Sequence, residues 1–301
     1  MNVEQSTPRC INELCSLLGF SRQAFYQHKR EEEKEVLGED LIVQEVLRQR
    51  KVMKRLGGRK LMVRMNNFMQ QHAIGMGRDA FFDLLRGNGL LVRRRRSRPH
   101  TTNSKHWFRK YPNLIEGFIP TAPNQLWVSD ITYIRLPNEF AYLSLITDAY
   151  SHKIVGFYLC ENLSAKGCMY ALKMALKSLS EKHRLIHHSD RGVQYCSTDY
   201  VQLLEKRHIR ISMTQTGNPK ENPLAERVNG ILKEELLEDV FLSLSVARDQ
   251  VAIAISIYNF QRPHLSIDML TPAEAHLSEG PIKKRWKNYY WHKKETEVAM
   301  I

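Results

Sequence analysis

The sequence predicts an α/β protein whose core is a mixed five-stranded sheet with helices on both faces. A small all-α, winged-helix-like region precedes it. Three observations carry this expectation. The middle of the chain runs three β-type segments and then alternates helix with strand. The first ninety residues read as helices closed by glycines. Charge is also partitioned: residues 1–120 hold 23 Lys and Arg against 12 Asp and Glu, residues 121–270 hold 16 against 16, and residues 271–301 hold 6 against 4. A net charge of +13 says little by its size alone, but a basic appendage and a basic tail around a neutral core point to a polyanionic partner.

With 301 residues and 43% hydrophobic content the chain can bury a full-sized core, and no run approaches the ~18 apolar residues of a membrane span. The opening MNVEQSTPRCINEL lacks the basic-then-apolar layout of a signal peptide. Five cysteines, an odd number with no CxxC pair, suggest neither a disulfide framework nor a zinc cluster. A soluble intracellular protein with reduced thiols and no membrane partner is expected.

Residues 1–35 begin with two short helices around Gly19, with Ser21 as the second cap. They fit either a helix-turn-helix, offering Arg22, Gln23, Tyr26 and Lys29 to DNA, or an ordinary helical hairpin. Glu31–Glu35 reads as a solvated linker or a helix start. Residues 36–98 continue with an amphipathic helix over 39–56 that Gly57-Gly58 closes, then RKLMVRMNNFMQQH, then RDAFFDLLRGNG. The strand-like LLVRRRR completes a winged-helix-like DNA-binding domain. Its arginines Arg93, Arg94, Arg95 and Arg96, with Arg98, form either a solvated linker or a phosphate-binding strap, and their mutual repulsion favours the strap. Residues 99–120, rich in Ser, Thr, Asn and Pro, read as a linker.

Residues 121–275 form the core. LWVSDITYIR, FAYLSLITDAY and HKIVGFYLC are strands in a meander. SAKGCMYALKMALKSL is a helix, RLIHHSD a fourth strand, TDYVQLLEKRH a helix and IRISMT a fifth strand. ENPLAERVNGILKEELL and SVARDQVAIAISIYNF are the closing helices. That order matches the ribonuclease H fold. Residues 276–301 are a tail in which KKRWKNYYWHKK mixes bases with aromatics, suiting either nucleic acid or a helix docked on the core.

Two aspartates stand out. Asp130 interrupts an apolar strand, which is costly unless the charge is paired or holds a cation. Asp190 ends the fourth strand in HHSDRGVQY, where Gly192 reads as the hinge of the following loop. In a ribonuclease H arrangement those two strands are neighbours, so the carboxylates face each other. Glu226 follows after 35 residues, on a helix whose stripe Leu224, Val228, Ile231 and Leu232 turns inward. Glu226, Asn229 and Lys233 then share another face. His187 and His188, as successive strand residues, point to opposite faces and read as core or supporting groups rather than a metal pair.

The stretches WVSDITYI, HSDRGVQY, NPLAERVNGILKEEL and YNFQRPHLSIDMLTPAEA resemble the retroviral-integrase superfamily over residues 120–275. Over the whole chain they look like OrfB-type transposases of bacterial insertion sequences (the IS-three family). The likeness in the N-terminal third rests only on helix order and basic residues, and the zinc-binding His/Cys domain of viral integrases has no counterpart. The resemblance implies a DDE polynucleotidyl transferase with Asp130, Asp190 and Glu226 as catalytic and metal-binding residues. Two Mg²⁺ or Mn²⁺ ions would suit such an oxygen-only site, Asp130 bridging both, Asp190 on one and Glu226 on the other. Water would cut at the element's end and the released 3′-hydroxyl would join a second phosphodiester. Beside the metals, Arg191, Lys220, Asn222, Arg227, Asn229 and Lys233 are expected to grip DNA; Arg262 is expected either at the periphery or capping the last helix. The implied partners are double-stranded DNA at terminal inverted repeats and at the target, further copies of the chain in a synaptic complex, and an upstream-frame OrfA-type protein. The implied location is the bacterial cytoplasm, at the nucleoid. A non-catalytic DNA-binding regulator and a ribonuclease H-type nuclease are the competing readings.

Overall fold

The computed structural model describes residues 8–92, 107–181, 183–215 and 222–285. The chain divides into two compact units, residues 1–52 with 57–92, and residues 53–56 with 93–301. The arginine run 93–96, with Arg98, and Lys220 lie outside the described residues. So do the start of the chain and most of the basic-aromatic tail.

The first unit is helical: α1 (Pro8–Leu17), α2 (Arg22–Val52), α3 (Gly58–Gln71) and α4 (Arg78–Gly87). Ile42 and Val46 of α2, Leu61 and Met65 of α3, and Phe81 and Leu85 of α4 are buried at helical spacing. Glu45 is buried among them yet charged, because Arg48 grips both its oxygens at 2.6 and 2.7 Å and Gln49 adds a third bond at 2.7 Å. Glu31–Glu35, expected as a solvated linker or a helix start, is neither. Glu and Lys are good helix formers, and α2 runs unbroken for 31 residues across it. Of the strand expected over LLVRRRR, residues 90–92 are not in a strand, and residues 93–96 lie outside the described residues.

The second unit carries the expected sheet: β1 (Leu126–Arg135), β2 (Phe140–Asp148), β3 (Ile154–Cys160), β4 (Ile186–Ser189) and β5 (Arg210–Met213). Their order is β3-β2-β1-β4-β5. β1–β2 and β2–β3 are antiparallel, while β1–β4 and β4–β5 are parallel. Helices α5 (Ala165–Leu176), α6 (Val193–Cys196), α7 (Thr198–Lys206), α8 (Pro223–Ile231), α9 (Leu244–Phe260) and α10 (Pro272–Ala275) complete it. This is the ribonuclease H-like arrangement. Trp127 and Ile146 pack with Leu172, Tyr200 and Leu204 on one face of the sheet; Ile134, Leu143 and Leu145 pack with Val228, Val251 and Tyr258 on the other. No helix among the described residues is long and apolar enough to cross a membrane.

The closing helix expected over ENPLAERVNGILKEELL changes pitch. After α8 the chain makes one π turn, Leu232–Leu236, a form that inserts a residue into the helical ladder. Against the opposite face, α5 approaches the sheet closely through Gly167, Ala171 and Ala175, small residues at four-residue intervals. At Gly156 of β3 an added Cβ would lie 2.2 Å from the Ala171 carbonyl oxygen and 2.9 Å from Ala175 Cβ. Because that carbonyl belongs to a packed helix, it cannot step aside as a side chain would. Gly156→Ala is therefore expected to lower unfolding stability by about 1–3 kcal/mol, read by urea denaturation.

Candidate active site

Parallel pairing of β1 and β4 sets Leu126 beside Ile186, Trp127 beside His187 and Val128 beside His188. Two residues further along each strand direction come Asp130 and Asp190. The register alone therefore brings the two aspartates together. Asp130 is half-buried opposite Leu145 of β2. Asp190 leaves the end of β4, and its Oδ1 accepts a bond of 3.0 Å from the Gly192 backbone N–H. A Cβ on Gly192 would approach that same oxygen to 2.9 Å. Gly192 has an ordinary negative φ and caps the short α6. Its lack of a side chain leaves room for the carboxylate that its N–H holds.

Helix α8 is stitched to β1 at two points. Asn222, at its N-terminus, donates from Nδ2 to the Ser129 carbonyl at 3.0 Å. Asn229 donates from Nδ2 to Asp130 Oδ2 at 2.6 Å. Glu226 lies four residues after the first asparagine and three before the second, so all three share one helix face. Anchoring Asn222 and Asn229 on β1 turns Glu226 toward the same strand end, where it remains exposed.

The electrostatics follow from this crowding. Burial first, then the neighbouring Asp190 carboxylate, pushes the Asp130 carboxyl up from 3.8 to about 7, and Glu226 adds to the effect. The Ile131 N–H, 2.9 Å from Oδ1, and the Asn229 amide favour the charged form without overcoming the rest. An anionic cluster held together against repulsion fits a hard cation, and its donors are oxygens alone. Among the described residues no three His, Cys, Asp or Glu side chains are gathered tightly enough to enclose an ion as they stand.

Both neighbouring histidines are engaged inside the sheet layers. His187 Nε2 lies 2.7 Å from Ser129 Oγ and 2.9 Å from Tyr200 Oη, and burial lowers its pKa to about 3. His188 Nδ1 lies 2.9 Å from Ser212 Oγ on the fifth strand. They brace β4 against its neighbours and hold it in register.

Two of the residues expected to grip DNA are turned into the protein, and so is Arg262, expected either at the periphery or capping the last helix. Asn222 and Asn229 are only 9% and 8% exposed and bond to β1, while Arg262 is 1% exposed. Arg262 Nε and Nη2 each donate to Glu235 at 2.8 Å, a bidentate pair, and Nη1 lies 3.0 Å from His264 Nε2. The π turn brings Glu235 to this position. Removing one partner of such a buried pair costs about 3–5 kcal/mol. Sequence reasoning missed Glu235, whose partner is 27 residues away and whose π turn has no sequence signature. The Asn222–Glu226–Asn229 spacing was the available signal for the two asparagines. Arg227 is exposed beside Glu226, while Arg191 and Lys233 are half-buried. Arg22 and Gln23 are exposed at the start of α2, in the other unit.

Comparison with known proteins finds similarity over most of the chain. A model of the integrase core domain matches residues 120–219, and a second integrase core domain model matches residues 207–272. The chain is 34% identical over 269 residues to the insertion element IS600 uncharacterized 31 kDa protein of Shigella sonnei, covering 86% of this chain and 96% of that one. It is 32% identical over 193 residues to transposase InsF for insertion sequence IS3A of Escherichia coli strain K12, covering 63% and 67%. Among solved structures, the HTLV-2 integrase catalytic core domain in complex with magnesium (trimeric form) is 20% identical, with a TM-score of 0.42, covering 52% of this chain and 97% of that one.

The raised Asp130 carboxyl has a measurable consequence. Between 3.8 and about 7 the folded chain retains a proton that the unfolded chain has released. Metal-free stability should therefore fall as pH rises through that window, and Asp130→Asn should flatten the slope and be the more stable protein above it. Denaturation midpoints measured in chelator across this pH range test both points.

Proposed function

We propose, because this chain belongs to the insertion-sequence DNA transposases with an integrase core, that Asp130, Asp190 and Glu226 are its catalytic carboxylates and hold two Mg²⁺ or Mn²⁺ ions. What supports the reading is the joint approach of the three acids: two strand ends in parallel register and one helix fastened to the first of them. Divalent cations bound there would polarise the scissile phosphate and ease proton loss from the attacking oxygen.

The chain's own residues supply the geometry. Asn229 and the Ile131 N–H fix Asp130, the Gly192 N–H fixes Asp190, and Asn222 fixes the start of the Glu226 helix. Arg262 and Glu235 lock the far end of that helix to the chain after α9. In the proposed reaction a water oxygen attacks phosphorus at the element's end, the P–O3′ bond breaks, and a 3′-hydroxyl and a 5′-phosphate result. The 3′-hydroxyl then attacks a target phosphodiester. One P–O bond forms as another breaks, so no ATP is required.

Arg191, Arg227 and Lys233 flank the carboxylates and are proposed phosphate contacts, joined by Lys220. The arginine run 93–96, with Arg98, is a proposed phosphate-binding strap, the N-terminal unit is a proposed DNA-binding region, and the terminal inverted repeats are the proposed substrate. Assembly of several copies at paired ends, partnership with an OrfA-type protein and action at the bacterial nucleoid belong to the same proposal.

The test uses duplexes carrying the element's own ends with Mg²⁺. The wild-type chain is expected to give 3′-hydroxyl cleavage and joined products, which Asp130→Asn, Asp190→Asn and Glu226→Gln should each abolish while remaining folded. Asn229→Ala, which frees Asp130 without removing a carboxylate, should lower activity about 10- to 100-fold. Equal activity of the wild type and any of the three carboxylate variants would defeat the assignment.

A further inference from the structure

The N-terminal half of α2 is a helix without a packing partner on one face. Residues 22–37 are all exposed, and the first buried position is Gly38, against Ile74. From there the inward face is Gly38, Ile42, Val46 and Gln49. On the opposite face lie Arg22, Tyr26, Lys29, Glu33, Val36 and Asp40, at intervals of four, three, four, three and four. That is the spacing of a coiled-coil seam. Its members are neighbours in fact: the Arg22 guanidinium stands over the Tyr26 ring at 5.6 Å. Ile11, Leu14 and Cys15 of α1 enclose a cavity with Ala24, Phe25 and His28, on another side of α2, so α1 leaves the seam open.

The seam reads as a palindrome of charge. We propose that it pairs with the same seam of a second copy of this chain, antiparallel, about a two-fold axis at Glu31. In that register Arg22 meets Asp40, Tyr26 meets Val36 and Lys29 meets Glu33, each contact occurring twice as two-fold symmetry requires. Glu31 points away from the axis and holds Gln27 at 3.1 Å on the back of the helix. Parallel pairing would set Arg22, Lys29, Glu33 and Asp40 each against its own copy. Sliding by one heptad one way would set Glu33 against Val36 and Arg22 against Leu47; sliding the other way would keep Arg22 against Glu33 but leave Val36 and Asp40 with no partner on α2. The charges therefore select the direction, and the number of paired positions selects the register.

The occupant is a second copy because the complementarity is internal: each half of the seam supplies the charges the other half lacks. Tyr26 is 37% and Val36 56% exposed in the single chain, and pairing would cover both. A seam this polar makes a modest, salt-sensitive contact. It pairs two chains before DNA is engaged, and it uses Arg22 and Lys29, which the sequence suggested for DNA, to hold the second copy. This inference stands on α2 alone and is independent of the catalytic assignment.

Sedimentation equilibrium of the full chain without DNA, at low salt and over a concentration series, tests it. The wild type should dimerise. Lys29→Glu and Glu33→Lys should each raise the dimer dissociation constant about tenfold or more, because like charges then face each other twice. The double variant Lys29→Glu/Glu33→Lys should return to within about threefold of wild type, with circular dichroism confirming unchanged helix content throughout. Wild-type monomer at every concentration, single variants that dimerise like wild type, or a double variant that stays dissociated would each overturn the proposal.

Discussion

Holding three carboxylates within electrostatic reach of one another is the constraint on which the rest of the second unit depends. Left to themselves, these groups repel, and burial of Asp130 increases that cost. The fold holds them there with several fixed contacts. Parallel pairing of β1 with β4 aligns the two strand ends. Two asparagine side chains hold α8 against β1, and a glycine N–H fixes Asp190. Behind these lie the Ser129–His187–Tyr200 contacts and the Arg262–Glu235 pair, which hold the supporting elements in place. The supporting shell is almost wholly buried, whereas Glu226 is open to solvent. That is the pattern of a site whose framework is rigid and whose substrate side is accessible.

Much of this was legible in the sequence, for identifiable reasons. Strand-like alternation and short turns give the meander, and a carboxylate inside LWVSDITYIR is conspicuous because apolar strands rarely tolerate one. Glu226 is different: a helix glutamate is ordinary, and it gains meaning only with the two aspartates and the surrounding NPLAERVNG. The asparagines were misread because amides serve equally well as DNA contacts and as internal donors. Only the distance from Asn229 to Asp130 separates those roles. Arg262, read as peripheral or as capping the last helix, does close the end of α9 through its N–H, but its side chain was not legible. Its charge suggests solvent or phosphate, but a buried guanidinium is satisfied when a carboxylate reaches both of its edges, and that carboxylate arrives through a π turn that no periodicity predicts. In the N-terminal unit, the acidic run at 31–35 suggested a linker or a helix start. Its residues are good helix formers, and nothing in the run carries the Gly or Pro that would stop a helix.

The two units divide the physical work. In the first, apart from the buried Glu45, charge lies mostly on surfaces: the alternating face of α2 remains exposed, available to partners. In the second, the decisive charges are partly withdrawn from water and held by fixed donors, where their interactions are stronger. A transposase needs both, because long-range attraction brings DNA to the protein while cleavage requires charges in fixed positions.

The central claim is that the three carboxylates act as one oxygen site for divalent cations. The most direct measurement is the shift in unfolding midpoint on adding Mg²⁺, compared between wild type and Asp130→Asn, Asp190→Asn and Glu226→Gln. A cation that binds only the folded chain must raise the midpoint. The account predicts a rise for the wild type that is lost or strongly reduced in all three variants. No rise in the wild type, or the same rise in all four proteins, would contradict it.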